Sequence, residues 1–223
     1  MLYKRGETTL SEPAMTLLDY ERLRVAPVAT DPFPHIVVPH FVPEPALPAV
    51  FGDLPRMTKR GSFPIASLAL GPAAAALVGE LEGPRFRAAI ATRFGLDLDD
   101  APTMVTLRGQ STERDGHIHC DSTAKRVTVL LYLNPEDESW GQHEGCLRLL
   151  RSRDLEDFAV EVPPVNGTLL VFPNSATAWH GHKTFIGQRF VIQLNYMTND
   201  AAARSELRRH RLSAFVKRLT AAA

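Results

Sequence analysis

Three side chains that can bind a metal ion lie within five residues of one another in the segment GHIHCDST, residues 116–123. They are His117, His119 and Asp121. Alternate residues of an extended strand point to the same side, so all three would share one face if this segment is extended. Two imidazoles and one carboxylate that leave three positions of an octahedron open suit the oxygen chemistry of non-haem Fe(II). Two ligands from this segment would need a third from another strand.

The later histidines are the candidates for that third ligand: His143, His180 and His182. The last two lie in FPNSATAWHGHK, just before the final apolar run. That run begins at Arg189, nine residues after His180. A guanidinium at this point can bind a carboxylate ligand through two charge-assisted hydrogen bonds.

The final run also has an informative alternation. Arg189, Val191, Gln193 and Asn195 would share one face of a strand, and Phe190, Ile192, Leu194 and Tyr196 the other. The second face is typical of a hydrophobic core. The first carries polar groups that are costly to bury without partners, which favours a binding site on that side.

Five short runs rich in β-branched, aromatic and leucine residues must position these groups. From about residue 103 they are TMVTLRG, RVTVLLYLN, GCLRLLRS, GTLLVFP and RFVIQLNYMT. Turn-rich pieces separate them, which predicts an antiparallel sandwich or barrel rather than alternating strands and helices. In the second run Thr128, Leu130 and Tyr132 would share one face.

The flanking regions predict supporting elements. Residues 35–42 form an extended apolar piece among prolines, followed by a short helix over 44–52, and residues 72–95 predict two helices that each begin at a proline. The tail, residues 199–223, predicts a basic amphipathic helix with an apolar stripe that could dock on the domain or form a homodimer; the stripe consists of Leu207, Leu212, Phe215 and Leu219. We expect one domain over 1–223, with supporting elements in 1–102.

Composition narrows the function classes. The 223 residues contain 25 Lys+Arg and 25 Asp+Glu, so the formal net charge is zero, which argues against a nucleic-acid or membrane-surface binder. Two cysteines do not make a disulfide framework or a Cys-rich zinc site. The first 15 residues lack the apolar run of a signal peptide, and no segment is apolar enough to span a bilayer. We therefore expect a cytoplasmic protein.

Taken together, these motifs resemble the Fe(II)- and 2-oxoglutarate-dependent dioxygenases, in particular their prolyl 4-hydroxylase-like branch. The resemblance covers about residues 103–198, through His119-Cys120-Asp121, VTVLLYLNP, GCLRLL, VPPVNGTLLVFPNSATAWHG and Arg189, with a looser match in PFPHIVVPHFV. It implies a mainly β fold with flanking helices (α+β): a double-stranded β-helix, which is a jelly-roll, cupin-like barrel.

The resemblance also implies roles for individual residues. His119, Asp121 and His180 would bind Fe(II), and Arg189 and Tyr132 would bind the distal carboxylate of 2-oxoglutarate. With O2 as the other cosubstrate, the enzyme would hydroxylate an unidentified small molecule or peptide and release succinate and CO2. No catalytic residue beyond the metal site is expected. Candidate substrate-side residues are Arg108, His117, Trp140, His143 and Asn195.

Two positions depart from the family pattern. Cys146 replaces a frequent glycine, and Val191 stands where a serine or threonine is common, which leaves the details of the carboxylate pocket open. Asp121 is intact, which argues against halogenating relatives. The alternatives are a cupin-type metal protein that uses His117, His119 and His180, and a catalytically silent barrel that serves as a binding module. The cupin alternative leaves Arg189 unexplained.

Overall fold

The computed structural model describes residues 16–136, 140 and 144–208. Its helices are α1 (Tyr20–Val25), α2 (Leu47–Gly52), α3 (Pro72–Glu82) and α4 (Pro84–Phe94). Its strands are β1 (Ile36–Val38), β2 (Phe63–Pro64), β3 (Thr103–Ser111), β4 (Lys125–Tyr132), β5 (Leu147–Leu150), β6 (Phe158–Val162), β7 (Leu169–Pro173), β8 (His180–His182) and β9 (Gly187–Met197). Helical residues 200–208 follow the last strand.

The strands form two antiparallel sheets. The larger has the order β1-β7-β4-β9-β3-β2, and the smaller has the order β6-β5-β8. Their inner faces pack on each other, since Tyr132 and Val191 of the larger sheet share a core cluster with Leu147 and Leu149 of the smaller one. This confirms the predicted double-stranded β-helix in a mainly β fold with flanking helices.

The outer face of the larger sheet carries the main hydrophobic core. Val129 and Leu131 of β4 and Ile192 and Leu194 of β9 face outward and pack with the helices. The helical side of this core includes Leu77, Leu81, Phe86 and Ile90 from α3 and α4. The alternation predicted for both strands is therefore present, and it sends the polar positions of β9 into the barrel.

The N-terminal region contributes strands to the barrel as well as supporting helices. β1 pairs with β7, and β2 pairs with β3, so both edges of the larger sheet come from residues before 103. The helices predicted over 72–95 begin at Pro72 and Pro84, and α4 ends at Gly95 in the left-handed conformation. The short helix α1 and the strands β6 and β8 were not predicted from the sequence.

The helical residues at 200–208 fall within the predicted C-terminal helix. Leu207 is partly buried against a small cluster that includes Met104 and Met197. Leu212, Phe215 and Leu219 lie outside the described residues, so a homodimer through this helix stays a prediction. Within the part of the chain that the structure describes, no helix is long and apolar enough to cross a membrane.

Candidate active site

A backbone bridge brings the first histidine motif to the second. The amide of His119 donates to the carbonyl of His180, and the amide of His180 donates back to the carbonyl of His119, both at 3.0 Å. The segment before β4 thereby extends the smaller sheet beside β8. As a result, one ligand atom from each of His119, Asp121 and His180 lies within 4.8 Å of the others. No other group of three such residues was found in the described part of the chain.

Gly116 permits this close pairing. Its carbonyl accepts the amide of His182 at 3.0 Å, one step further along the bridge. Its φ of 92° is one that residues with a side chain rarely adopt. A Cβ at this position would also lie 2.4 Å from the carbonyl oxygen of His182. The turn before His117 therefore needs a glycine.

In His119 and His180, Nδ1 faces a backbone carbonyl and Nε2 remains available to a metal ion. The Nδ1 of His119 lies 2.9 Å from the carbonyl oxygen of His117, and the Nδ1 of His180 lies 2.9 Å from that of Ala178. A carbonyl can only accept a hydrogen bond, so each Nδ1 carries the proton and each Nε2 keeps its lone pair. Burial lowers the pKa of His180 to about 4, which keeps this ring neutral, the form that binds a metal.

The carboxylate of Asp121 is held on both oxygens. Lys125 donates to Oδ1 at 2.5 Å and the Thr128 hydroxyl donates to Oδ2 at 2.5 Å, with side chains of Lys125 and Asp121 only 10% and 6% exposed. Burial alone would raise the pKa of Asp121, but Lys125, His180 and Thr128 hold it below its ordinary value. The group is therefore ionised and oriented.

These three residues line a cavity between the two sheets, which we call the barrel cavity. Its wall also includes Arg189 and Tyr132, whose Nη2 and hydroxyl are buried and make no hydrogen bond to the residues that the structure describes. Arg189 Nε donates to the carbonyl of Gly145 at 2.8 Å, which fixes the guanidinium. Burial raises the pKa of Tyr132, so its phenol stays protonated as a donor.

Two buried donors without a partner among the described residues lie beside three convergent metal-binding groups. This arrangement suits a dicarboxylate cosubstrate that chelates the metal at one end. A buried polar group without a partner is costly, and a carboxylate would satisfy both donors at once. The residues present therefore fit both Fe(II), with its preference for imidazole and carboxylate ligands in a facial arrangement, and 2-oxoglutarate.

The structure places the candidate substrate-side residues in different parts of the molecule. Arg108 and His117 line the barrel cavity, and the backbone carbonyl of His117 also orients His119. Trp140 does not line it: the indole stacks on Phe185 at 4.6 Å and lines a separate groove. A substrate-side role for Trp140 therefore stays a prediction.

Asn195 does not line the barrel cavity, and a substrate-side role for it stays a prediction. It is fully buried, and its Oδ1 lies 3.3 Å from the Oγ1 of Thr128, whose hydroxyl donates to Asp121. Asn195 lies near the end of β9, opposite Thr128 of β4, which explains its place beside that threonine. His143 lies outside the described residues.

Sequence reasoning missed two residues that shape the site, Lys125 and Thr128, which orient Asp121. His182, a candidate for the third ligand, is outside the group of three and lines the barrel cavity as a buried side chain. The alternation that placed Thr128 on the face of Tyr132 was the available signal for the threonine. Lys125 lies just before the register shift between β4 and β9, where a two-residue period no longer applies.

Comparison with known proteins agrees with this geometry. Residues 107–197 match the model of the 2OG-Fe(II) oxygenase superfamily. A prolyl 4-hydroxylase from Pseudomonas putida has 19% identity and a TM-score of 0.51, with 80% of this chain and 96% of that chain covered. A prolyl 4-hydroxylase from Phytophthora capsici has 15% identity and a TM-score of 0.53, with 84% and 68% covered. No curated protein sequence matches.

At these identities the two solved structures support the fold. The family match over residues 107–197 supports the enzyme class. The predicted class, an Fe(II)- and 2-oxoglutarate-dependent dioxygenase that uses O2, is thereby confirmed, and the cupin-type and silent-barrel alternatives lose their support.

Proposed function

We propose that this dioxygenase hydroxylates a small molecule or peptide, with His119, Asp121 and His180 as the iron ligands and with Arg189 and Tyr132 binding the distal carboxylate of 2-oxoglutarate. The observation that carries the proposal is the joint arrangement in one cavity. Three convergent ligand atoms and two buried, unpartnered donors line the same wall.

The protein's part in this reaction is to bind and orient. When bound, Fe(II) and 2-oxoglutarate would activate O2: one oxygen atom would enter succinate as CO2 is lost, and the other would enter the substrate. Each imidazole offers Nε2 because a backbone carbonyl holds Nδ1–H. Lys125 and Thr128 hold the Asp121 carboxylate in one orientation.

The opposite end of the cosubstrate would be recognised by charge. Arg189 is 6% exposed, so a carboxylate that reaches it is largely withdrawn from water. A charge-assisted hydrogen bond from Nη2 and a neutral donor bond from the Tyr132 hydroxyl would compensate that desolvation. Val191 has no hydroxyl that could donate a further hydrogen bond. In this proposal Arg189 and Tyr132 therefore supply the main affinity for the distal carboxylate of 2-oxoglutarate.

Hydroxylation is favoured over halogenation by the ligand set. A halogenating site would need a vacant position where the carboxylate stands, whereas Asp121 is present and held on both oxygens. The mouth of the cavity is bounded by an exposed His117 and a partly exposed Arg108, so it is accessible to both peptides and small molecules.

Anaerobic absorption spectroscopy tests the proposal. Fe(II) and then 2-oxoglutarate are added to the apoprotein, and the visible charge-transfer band of the chelated keto acid is followed. We expect the band in the wild type and in His117→Ala, the matched control two residues away. His119→Ala should abolish it, and Arg189→Ala should require at least about tenfold more 2-oxoglutarate. A folded, iron-loaded wild type without the band would contradict the proposal.

A further inference from the structure

A second guanidinium lies in the barrel cavity besides that of Arg189. Arg108 is on the inner face of β3, directly opposite Val191 of β9, so Arg189 is its diagonal neighbour on the same face. Both arginines line the cavity. Arg189 is 6% exposed, whereas the side chain of Arg108 is 36% exposed and remains accessible to an incoming molecule.

Arg108 is held in place by a buried acid. Its Nη2 donates to Asp115 Oδ1 at 2.7 Å, and the side chain of Asp115 is only 3% exposed. The other oxygen of Asp115 accepts the amide and the hydroxyl of Thr112, at 3.0 and 3.1 Å, and lies 3.5 Å from Arg60. Asp115 is thus shared between two arginines, and it anchors Arg108 without using the remaining nitrogens of its guanidinium.

The charges around the cavity do not balance. Among the described residues, the charged side chains on its wall, together with those that directly contact them or Asp115, are four cations and two carboxylates: Arg60, Arg108, Lys125 and Arg189 against Asp115 and Asp121. Fe(II) and the 2-oxoglutarate dianion carry equal and opposite charges, so their binding leaves the surplus unchanged. Lys125 is paired with Asp121, and Arg189 would be satisfied by the cosubstrate. Asp115 neutralises one of the two remaining cations, Arg108 and Arg60, so one positive charge of the surplus falls on this pair.

Two neighbouring guanidinium groups that share one carboxylate are only half compensated. Partial burial lowers the pKa of Arg108; Asp115 opposes this shift, and the positive charges of Arg189 and Arg60 add to it. Exposed Glu113 lies in the adjacent loop, but exposed Arg114 follows it directly and cancels its charge. An anion at the mouth of the cavity would relieve the repulsion.

We infer that the substrate carries a carboxylate and that Arg108 binds it as a specificity-determining residue. The planar fork of a guanidinium matches the two oxygens of a carboxylate, and Arg108 keeps Nε and Nη1 free of hydrogen bonds to the described residues. The inference rests on the proposed function, because it assumes that Arg189 is occupied by 2-oxoglutarate. It narrows the substrate to an acidic small molecule, or to a peptide with a carboxylate near the oxidised carbon.

Matched pairs of probes test this inference on the full-length protein. N-acetyl amino acids and their uncharged carboxamides are titrated into protein saturated with Zn(II) and 2-oxoglutarate, and binding is measured by ligand-observed NMR. We expect at least one acid to bind about tenfold more tightly than its amide. Arg108→Gln should remove this preference and Arg108→Lys should restore part of it. Arg114→Gln, which removes the same charge from an exposed position, should leave it intact.

The affinity for 2-oxoglutarate distinguishes a failure of the inference about Arg108 from a failure of the proposed function. Arg108→Gln should change it only a few-fold, whereas Arg189→Gln should weaken it by at least about tenfold. If Arg108→Gln weakens 2-oxoglutarate as strongly as Arg189→Gln, Arg108 belongs to the cosubstrate site and the inference is overturned. The inference is also overturned if a wild type that binds 2-oxoglutarate binds no N-acetyl amino acid more tightly than its carboxamide, at probe concentrations up to the millimolar range. A wild type that does not bind 2-oxoglutarate contradicts the proposed function instead.

Discussion

His119 and His180 exchange both hydrogen bonds of an antiparallel bridge, and their ring centroids lie 4.4 Å apart. The convergence of the metal-binding groups therefore depends on backbone pairing between two segments 61 residues apart in sequence, as well as on the side chains themselves. A change that disturbs this pairing should affect metal binding without touching a ligand.

Gly116→Ala tests that dependence. The substitution forces a positive φ on alanine and brings its Cβ against the carbonyl of His182, so we expect a loss of about 1–3 kcal/mol in the free energy of unfolding. The affinity for Mn(II), measured by electron paramagnetic resonance, should also fall. Gly52→Ala is the control, because nothing lies within 4 Å of a Cβ at that position. Equal behaviour of the two variants would contradict the role given to Gly116.

Thr128→Val tests the orientation of Asp121. Valine keeps the shape of threonine but cannot donate to Oδ2, and loss of such a group beside a ligand typically weakens metal binding by about tenfold or more. Thr106→Val is the matched control, since Thr106 on β3 of the same sheet is equally buried but its hydroxyl makes no hydrogen bond to the described residues. Mn(II) titration should separate the two variants. Similar affinities would show that Lys125 alone orients the carboxylate.

Tyr132→Phe tests the proposed hydrogen bond from the Tyr132 hydroxyl to the distal carboxylate of 2-oxoglutarate. Removal of one hydrogen bond to a charged group should weaken the cosubstrate by about tenfold, as measured by isothermal titration calorimetry in the presence of Mn(II). Tyr196→Phe provides the control: its hydroxyl is also buried and unpartnered, but its ring lies in the outer core. A Tyr132→Phe variant with wild-type affinity would remove this residue from the proposed site.

Asp115→Asn tests the anchor of Arg108. Burial opposes ionisation of Asp115, yet hydrogen bonds from Thr112 and the charges of Arg108 and Arg60 lower its pKa overall. A depressed folded pKa contributes stability above the unfolded value of about 4, and this contribution is lost as the pH falls through the folded pKa. We expect the variant to lose about 2 kcal/mol at neutral pH, because two arginines lose their partner.

Chemical denaturation at several pH values checks that expectation. The difference between wild type and Asp115→Asn should shrink as the pH falls below about 4, where the wild-type carboxyl becomes protonated. Asp100→Asn, at an exposed position, should show little difference at any pH. A difference for Asp115→Asn that stays constant down to pH 2 would mean that packing, not charge, accounts for the loss.

The sequence by itself determined the local parts of this site. The two-residue period placed Thr128 and Tyr132 on one face of β4, and Arg189 and Val191 on one face of β9, and these faces line the barrel cavity. The His-x-Asp motif, the strand segments that follow it, His180 and Arg189 together carry the resemblance to the family. Such features depend on neighbours along the chain, and a strand's alternation holds wherever that strand lies.

Only the tertiary structure decided which distant residues meet. The bridge between residue 119 and residue 180 brings His180, rather than His182, beside Asp121. The register of β3 with β9 brings Arg108 beside Arg189. These outcomes depend on strand register, bulges and loop paths. A one-residue change in any of them would bring different side chains together while leaving every local pattern unchanged.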